Sequence, residues 1–238
     1  MNPIHIRASR NDVAPVVLLV GDPGRATRAA QRMEEAVCYN EFRGLLGYTG
    51  RHRGVAVSVQ TTGMGCPSAA IVCEELAVLG ARVLIRLGTC GSAKVEIKPT
   101  DLIIATSACP LDGTTRQYME GDPFAPTASF RVVQELVRAA EAVGVTYHVG
   151  PIATEDALYA VRPAWVERWA ARGVLAQEME ASAIFTVAAL RGMGAGCALV
   201  ASNYASQHER LPDEELLPAI DRMIEVGMEA AVALSRAM

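Results

Sequence analysis

Residues 55–80 read VAVSVQTTGMGCPSAAIVCEELAVLG. The segment opens on VAVSVQTTG (55–63), a β-branched, apolar stretch that reads as a strand. Gly63 and Gly65 then punctuate the chain, and Pro67-Ser68 open a pattern of apolar residues at helical spacing that runs to Gly80. Strand, glycine turn and helix form the unit that α/β folds repeat, and the rest of the chain repeats it. Upstream, PVVLLVG (15–21) is a strand before the helical RATRAAQRMEEAV (25–37). Downstream, RVLIRLG (82–88) and DLIIATSA (101–108) read as strands, followed by a helix over 129–144, a strand over 147–154, a helix over 178–194, a strand over 197–202 and a last helix from about Asp213. This rhythm predicts an α/β fold with a largely parallel or mixed sheet covered by helices. No low-complexity linker, charge block or internal repeat divides the chain, so 1–238 is predicted to be one domain. The one long irregular stretch, CPLDGTTRQYMEGDPFAPTA (109–128), has the composition of a loop that covers a site.

Composition narrows the function. With 51% hydrophobic and 20% charged residues, the 238-residue chain has material for a sizeable core. No apolar run is long enough to span a bilayer, and the N-terminal MNPIHIRASRND lacks the apolar region of a signal peptide. The six cysteines form no C-x-x-C pair and sit among apolar residues, which predicts reduced, packed thiols in a cytoplasmic protein. Four scattered histidines without H-E-x-x-H spacing predict no metal site. A net charge of −4 speaks against nucleic-acid binding, which needs a clustered basic face. A small-molecule enzyme is the class left.

Four stretches carry chemistry. In LLVGDPGRATR, a strand ends at Gly21, Asp22 is placed as a helix N-cap and Pro23 as the first helical residue. Arg25 then stands in the first helical turn, where a cation opposes the helix dipole unless an anion sits beside it. In RVLIRLGTCGS, Arg86 interrupts an apolar strand, and a buried guanidinium needs a partner. That partner is either one of the chain's carboxylates or an anionic ligand at the strand's C-terminal end, cradled by Thr89 and the amides beside it. TTGMGCPSAAIVCEEL is a degraded dinucleotide fingerprint: it lacks the third glycine, and no ribose-binding acid follows about 20 residues on. In QEMEASAIF, Glu178 and Glu180 bracket Met179 where a helix is predicted to begin; they either favour its dipole or accept hydrogen bonds from sugar hydroxyls.

Together these motifs resemble the nucleoside phosphorylase family that contains hexameric bacterial purine nucleoside phosphorylases and uridine phosphorylases. Residues 61–76 are similar to that family's signature, and GDPGR, RLGTCGS and EMEA follow in its order and spacing. The resemblance spans His5 to the final helix. It implies a single-domain phosphorylase fold with a central mixed sheet or barrel flanked by helices, and a homohexamer built as a trimer of dimers with shared active sites. FRGLLGYTG around Arg43 resembles the purine branch, whereas LDGTT and GDPGR itself lean toward the uridine branch. A non-catalytic nucleoside- or anion-binding protein is the alternative from another class.

By position, the resemblance assigns phosphate to Gly21, Arg25, Arg86 and Thr89, with Arg43 reaching a neighbouring subunit's phosphate. It assigns ribose to Met179 and Glu180 with Glu178 close by, and a neighbour's sugar 5′-hydroxyl to His5. The base pocket falls to Leu158, Tyr159, Gln177, Ser202 and Asn203. No metal or redox cofactor is implied; inorganic phosphate is the co-substrate and a purine nucleoside the substrate. The catalytic set is then Arg25, Arg86 and Asn203, with Asn203 in the place of an aspartate that assists the leaving base. The arginine that assists this aspartate corresponds to Leu216 here, and Arg210 is the candidate substitute. An amide offers a donor and an acceptor side by side, which suits a 6-oxopurine such as guanine or hypoxanthine better than adenine.

Overall fold

A computed structural model of the chain describes residues 2–160, 163–206 and 209–238. Val161 and Arg162, between the base-pocket pair Leu158-Tyr159 and the next helix, lie outside them. The elements in chain order are β1 (Val16–Val20), α1 (Pro23–Ala30), β2 (Glu34–Asn40), β3 (Gly47–His52), β4 (Val55–Thr61) and α2 (Cys66–Leu79). They continue with β5 (Val83–Ser92), β6 (Leu102–Pro110), α3 (Gly113–Tyr118), α4 (Phe130–Val143), β7 (Tyr147–Thr154) and α5 (Pro163–Ala170). β8 (Ala176–Glu178), α6 (Ala181–Leu190), β9 (Gly194–Tyr204) and α7 (Asp213–Arg236) complete the fold.

The strands form one mixed sheet in the order β2-β3-β4-β1-β5-β8-β7-β6-β9, and β9 pairs back on β5. That pairing closes β5, β8, β7, β6 and β9 into a five-stranded barrel, with β1–β4 as an extension. β1 pairs in parallel with both β4 and β5. Both of its faces are therefore covered. Val17 and Leu19 enter one core with α2 and α6, and Val16, Leu18 and Val20 enter another with α7. Such two-sided burial is why this strand is continuously apolar rather than alternating. α7 lies so close to the barrel that a Cβ at Gly227 would fall 2.6 Å from Leu87 Cδ1.

Several element boundaries differ from the sequence expectation. The helix from Arg25 ends at Ala30, and Glu34–Asn40 is an edge strand. Its residues alternate poorly because most of them are exposed. The helix expected over 178–194 begins only at Ala181: Glu178 ends β8, and Glu180 is the helix N-cap. The irregular stretch 109–128 contains the six-residue α3, capped by Asp112, whose carboxylate accepts from the Thr115 amide at 2.6 Å. β9 runs from Gly194 to Tyr204, so it begins before the expected strand 197–202 and continues past it through Asn203. All six cysteines are free, and four are buried. Burial pushes the thiols of Cys66, Cys73, Cys90 and Cys197 above their ordinary range, as packed, unreactive sulfur requires.

Candidate active site

The C-terminal ends of β1, β5 and β9 and the β8–α6 junction open on a cavity of about 820 Å³. α/β sheets place ligands at this edge, and the volume is that of a small-molecule site. Every sequence-predicted site residue except His5 lines it.

Its anion end is built from β1 and β5. The β1–α1 turn passes Gly63 so closely that a Cβ at Gly21 would sit 3.3 Å from the Gly63 carbonyl. Asp22 caps α1, its carboxylate accepting from the Gly24 amide at 2.9 Å. Arg25, in the first turn, donates from Nη1 to the Leu87 carbonyl at 3.2 Å. Among the described residues no carboxylate lies within ion-pair distance of it. Burial first, and the nearby Arg86 charge second, pull its guanidinium down to about 10. A desolvated cation beside another cation at a helix N-terminus is half of an anion site. Thr89 is half-buried on the same wall.

Arg86 answers the sequence alternative of ion pair or ligand with an ion pair, while still lining the cavity. Its Nε donates to Glu178 Oε2 at 2.8 Å, and its Nη2 contacts Glu180 Oε2. Burial alone would weaken its charge, but Glu180 and Glu178 outweigh that and hold its pKa above the ordinary value. A Cβ at Gly88 would meet Arg86 Nη2 at 2.8 Å, so glycine there leaves room for the guanidinium.

The two carboxylates have different work. Glu178 is buried, and both its oxygens are used internally. They accept from the Ala181 amide at 3.0 Å each, from the Glu180 amide at 2.9 Å, from Arg86 and from the Thr154 hydroxyl. It closes the start of α6 and fixes Arg86, which is the helix-start reading realised from two residues upstream. Glu180 accepts from the Gly65 amide at 2.6 Å, so the glycine turn of residues 63–65 positions it. Burial raises its pKa first, Arg86 opposes this, and the net direction is upward.

The other end of the cavity carries Leu158 and Tyr159, both exposed on a 3₁₀ turn, with Gln177, Met179 and the β9 pair. Cys90 pairs with Ala201 but Gly91 pairs with Asn203, so Ser202 is the extra residue of a bulge. Its hydroxyl lies 3.1 Å from the Cys90 carbonyl and 3.0 Å from Asn203 Oδ1. Asn203 Nδ2 donates to the Tyr204 carbonyl at 3.0 Å. These neighbours hold the amide with its oxygen toward Ser202 and its nitrogen toward Tyr204. Leu216 is wholly buried in the α7 core and does not reach the cavity, whereas Arg210 lines it and pairs with Asp213 at 2.9 Å.

Arg43 lines this chain's own cavity from a left-handed backbone position, φ 58°. His5 stands elsewhere: its Nδ1 is 2.8 Å from Glu75 Oε1. The Glu75 carboxylate also accepts from the amides of Ile4, His5 and Ile6. Burial works against the Glu75 charge, but those donors hold its pKa below the ordinary value.

One lining residue was not legible in the sequence. Glu155, just past β7, is half-buried; burial and then the Glu178 charge push its carboxyl from an ordinary 4.5 up to about 7. Since the folded state disfavours the ionised form, Glu155 adds nothing below about 4.5 and costs stability progressively as pH rises through 7. Glu155→Gln is therefore expected to be more stable than the parent protein at pH 8 and equal to it near pH 4. Thermal melts at the two pH values check this, and equal differences at both would refute it.

A model of the phosphorylase superfamily matches residues 15–236. The chain is 41% identical to a DeoD-type purine nucleoside phosphorylase of Geobacillus kaustophilus, covering 96% of this chain and 98% of the relative. It is 40% identical to the protein of the same description from Jannaschia sp., again over 96% and 98%. For the one from Clostridium novyi the identity is 39% over 95% and 98%. With the signature segment forming the turn that seats Glu180, and these similarities running nearly end to end, the chain belongs to the phosphorylase superfamily.

Proposed function

We propose that the protein is a purine nucleoside phosphorylase that prefers 6-oxopurine nucleosides. The observation that carries this reading is the juxtaposition of Arg25, a desolvated cation without a carboxylate partner among the described residues, with the Arg86–Glu180 pair in one cavity. An anion belongs beside the first and a hydroxylated sugar beside the second. Phosphate bound by Arg25, Arg86, Gly21 and Thr89 attacks C1′. The C1′–N9 bond breaks, and its electron pair leaves with the purine. The transition state is oxocarbenium-like, as in glycoside cleavage. Phosphate both supplies the nucleophile and stabilises the positive charge developing on the sugar. Glu180 and Met179 hold the ribose. The reaction requires no metal or redox cofactor. The names of the curated relatives and the match to the family support this assignment.

Asn203 sets the base preference. An amide cannot release a proton, so the leaving purine takes its ring proton from solvent or phosphate. Asn203 Oδ1 then accepts from that N–H while Nδ2 donates to O6. Adenine would set its amino group against the amide NH₂, and a flip would break the contacts to Ser202 and Tyr204. Unpaired polar groups in a built site can cost about 10⁴-fold. The proposed assembly is a cytoplasmic homohexamer in which His5 reaches a neighbour's sugar, which its position outside this chain's own cavity permits.

Incubating the protein with inosine, guanosine, adenosine or uridine, with and without phosphate, tests the reading. Phosphate-dependent release of ribose 1-phosphate from inosine and guanosine is expected. Equal kcat/KM for guanosine and adenosine would sink the 6-oxopurine preference. Base release without phosphate would replace phosphorolysis by hydrolysis. Asn203→Asp is expected to raise the adenosine-to-guanosine ratio of kcat/KM by at least about tenfold.

A further inference from the structure

Two polar side chains in the cavity wall have no partner among the described residues that accounts for them. Gln177 is 7% exposed, and its Nε2 meets no acceptor among the described residues. A buried amide donor left unmade is costly, and in a native site it points to a ligand acceptor. Glu155 stands on the adjoining strand end. Ala153 pairs with Gln177 and Thr154 with Glu178, and the Glu155 amide donates to the Glu178 carbonyl at 3.0 Å. Among the described residues neither donor nor cation meets the Glu155 carboxylate, although it lines the same cavity as Leu158, Tyr159 and Asn203. Neither residue is required by the phosphate or ribose chemistry, and among the described residues no contact consumes Gln177 Nε2 or the Glu155 carboxylate.

A ligand that satisfies both must bring adjacent donors to the carboxylate and an acceptor to the amide. Adenine fails, because its N1 acceptor would face a carboxylate. Hypoxanthine supplies one donor, N1–H. Guanine presents N1–H and the 2-amino group side by side, flanked by the acceptors O6 and N3. A carboxylate accepts such a pair in a two-pronged, charge-assisted contact.

We infer that Glu155 and Gln177 read the six-membered-ring edge of the base and select a 2-amino-6-oxopurine, so that guanosine is preferred to inosine. The selection rests on the nucleoside-binding assignment above and extends it: Asn203 separates 6-oxo from 6-amino purines, and Glu155 separates guanine from hypoxanthine. Burial and then the Glu178 charge raise the pKa of this carboxyl, and a pair of N–H donors from the base would offset both.

Binding of guanosine and inosine, measured by calorimetry without phosphate so that neither reacts, tests the inference separately from catalysis. Guanosine is expected to bind about 10–100-fold more tightly than inosine at pH 8, the range of a hydrogen bond to a charged group. Glu155→Gln and Glu155→Ala should both bring that ratio to within about threefold, and Gln177→Leu should weaken both nucleosides together. A parent protein that binds the two equally, or a ratio unchanged in both Glu155 variants, overturns the inference whether or not ribose 1-phosphate is formed. A ratio lost in the variants of a protein that shows no phosphorolysis upholds the base reading and overturns the proposed activity instead.

Discussion

Arg86→Met should abolish phosphorolysis and lower stability by about 3–5 kcal/mol, the usual cost of removing one partner from a buried ion pair. Arg86 is 4% exposed and stands between Glu178 and Glu180. Methionine fills similar volume, so the loss reports charge rather than a cavity. Glu178 would keep the Thr154 hydroxyl and two backbone amides, but among the described residues Glu180 would keep only the Gly65 amide. For a domain of this size the melting temperature should fall by roughly 6–20 °C. Neutralising the stranded carboxylate in Arg86→Met/Glu180→Gln should recover much of that fall without restoring activity. Recovery of stability alone separates the structural role of the pair from its role toward substrate. A single variant that melts at the parent temperature and keeps its kcat/KM would remove Arg86 from both.

The same buried charges explain what could be read from the sequence. Arg86 was conspicuous because a cation in the middle of VLIRL has no inexpensive place to go. Arg25 was conspicuous because it opposes a dipole that Asp22 and Pro23 otherwise serve. Both are violations of local rules, and local rules are visible one segment at a time. What stayed hidden depends on distant pairing. β5 ends at Ser92 and β9 begins only at Gly194, so the closure of the barrel leaves no periodic trace. β8 has three residues, too few for an alternation, yet it seats Gln177 and Glu178 between β5 and β7. The exposed edge strand β2 carries EEAVCYN, which continues the helical pattern before it. Glu155 sits in TEDAL, a polar turn like many others; only its burial beside Glu178 distinguishes it.

The second large effect concerns Arg25, and its signature should be the reverse of that of Arg86. Arg25→Gln removes a cation that the free protein holds at a cost, being desolvated and repelled by Arg86 with only a carbonyl as direct partner among the described residues. The variant should therefore melt at or above the parent temperature when phosphate is absent. Its activity should fall all the same. Losing one preorganised donor to a developing or bound anion typically costs about 10²–10³ in rate, and the defect should appear in kcat/KM for phosphate. Phosphate at about 100 times its Kd should stabilise the parent protein by about 2.7 kcal/mol, and this gain should largely vanish in the variant. Nucleoside binding in the absence of phosphate should change little, because Glu180 and the β9 end are untouched. The combination of unchanged or improved folding, lost phosphate stabilisation and retained nucleoside binding is specific to an anion subsite. A structural role would lower the melting temperature, and a role in the base pocket would weaken nucleoside binding; either result would move phosphate away from the N-terminus of α1.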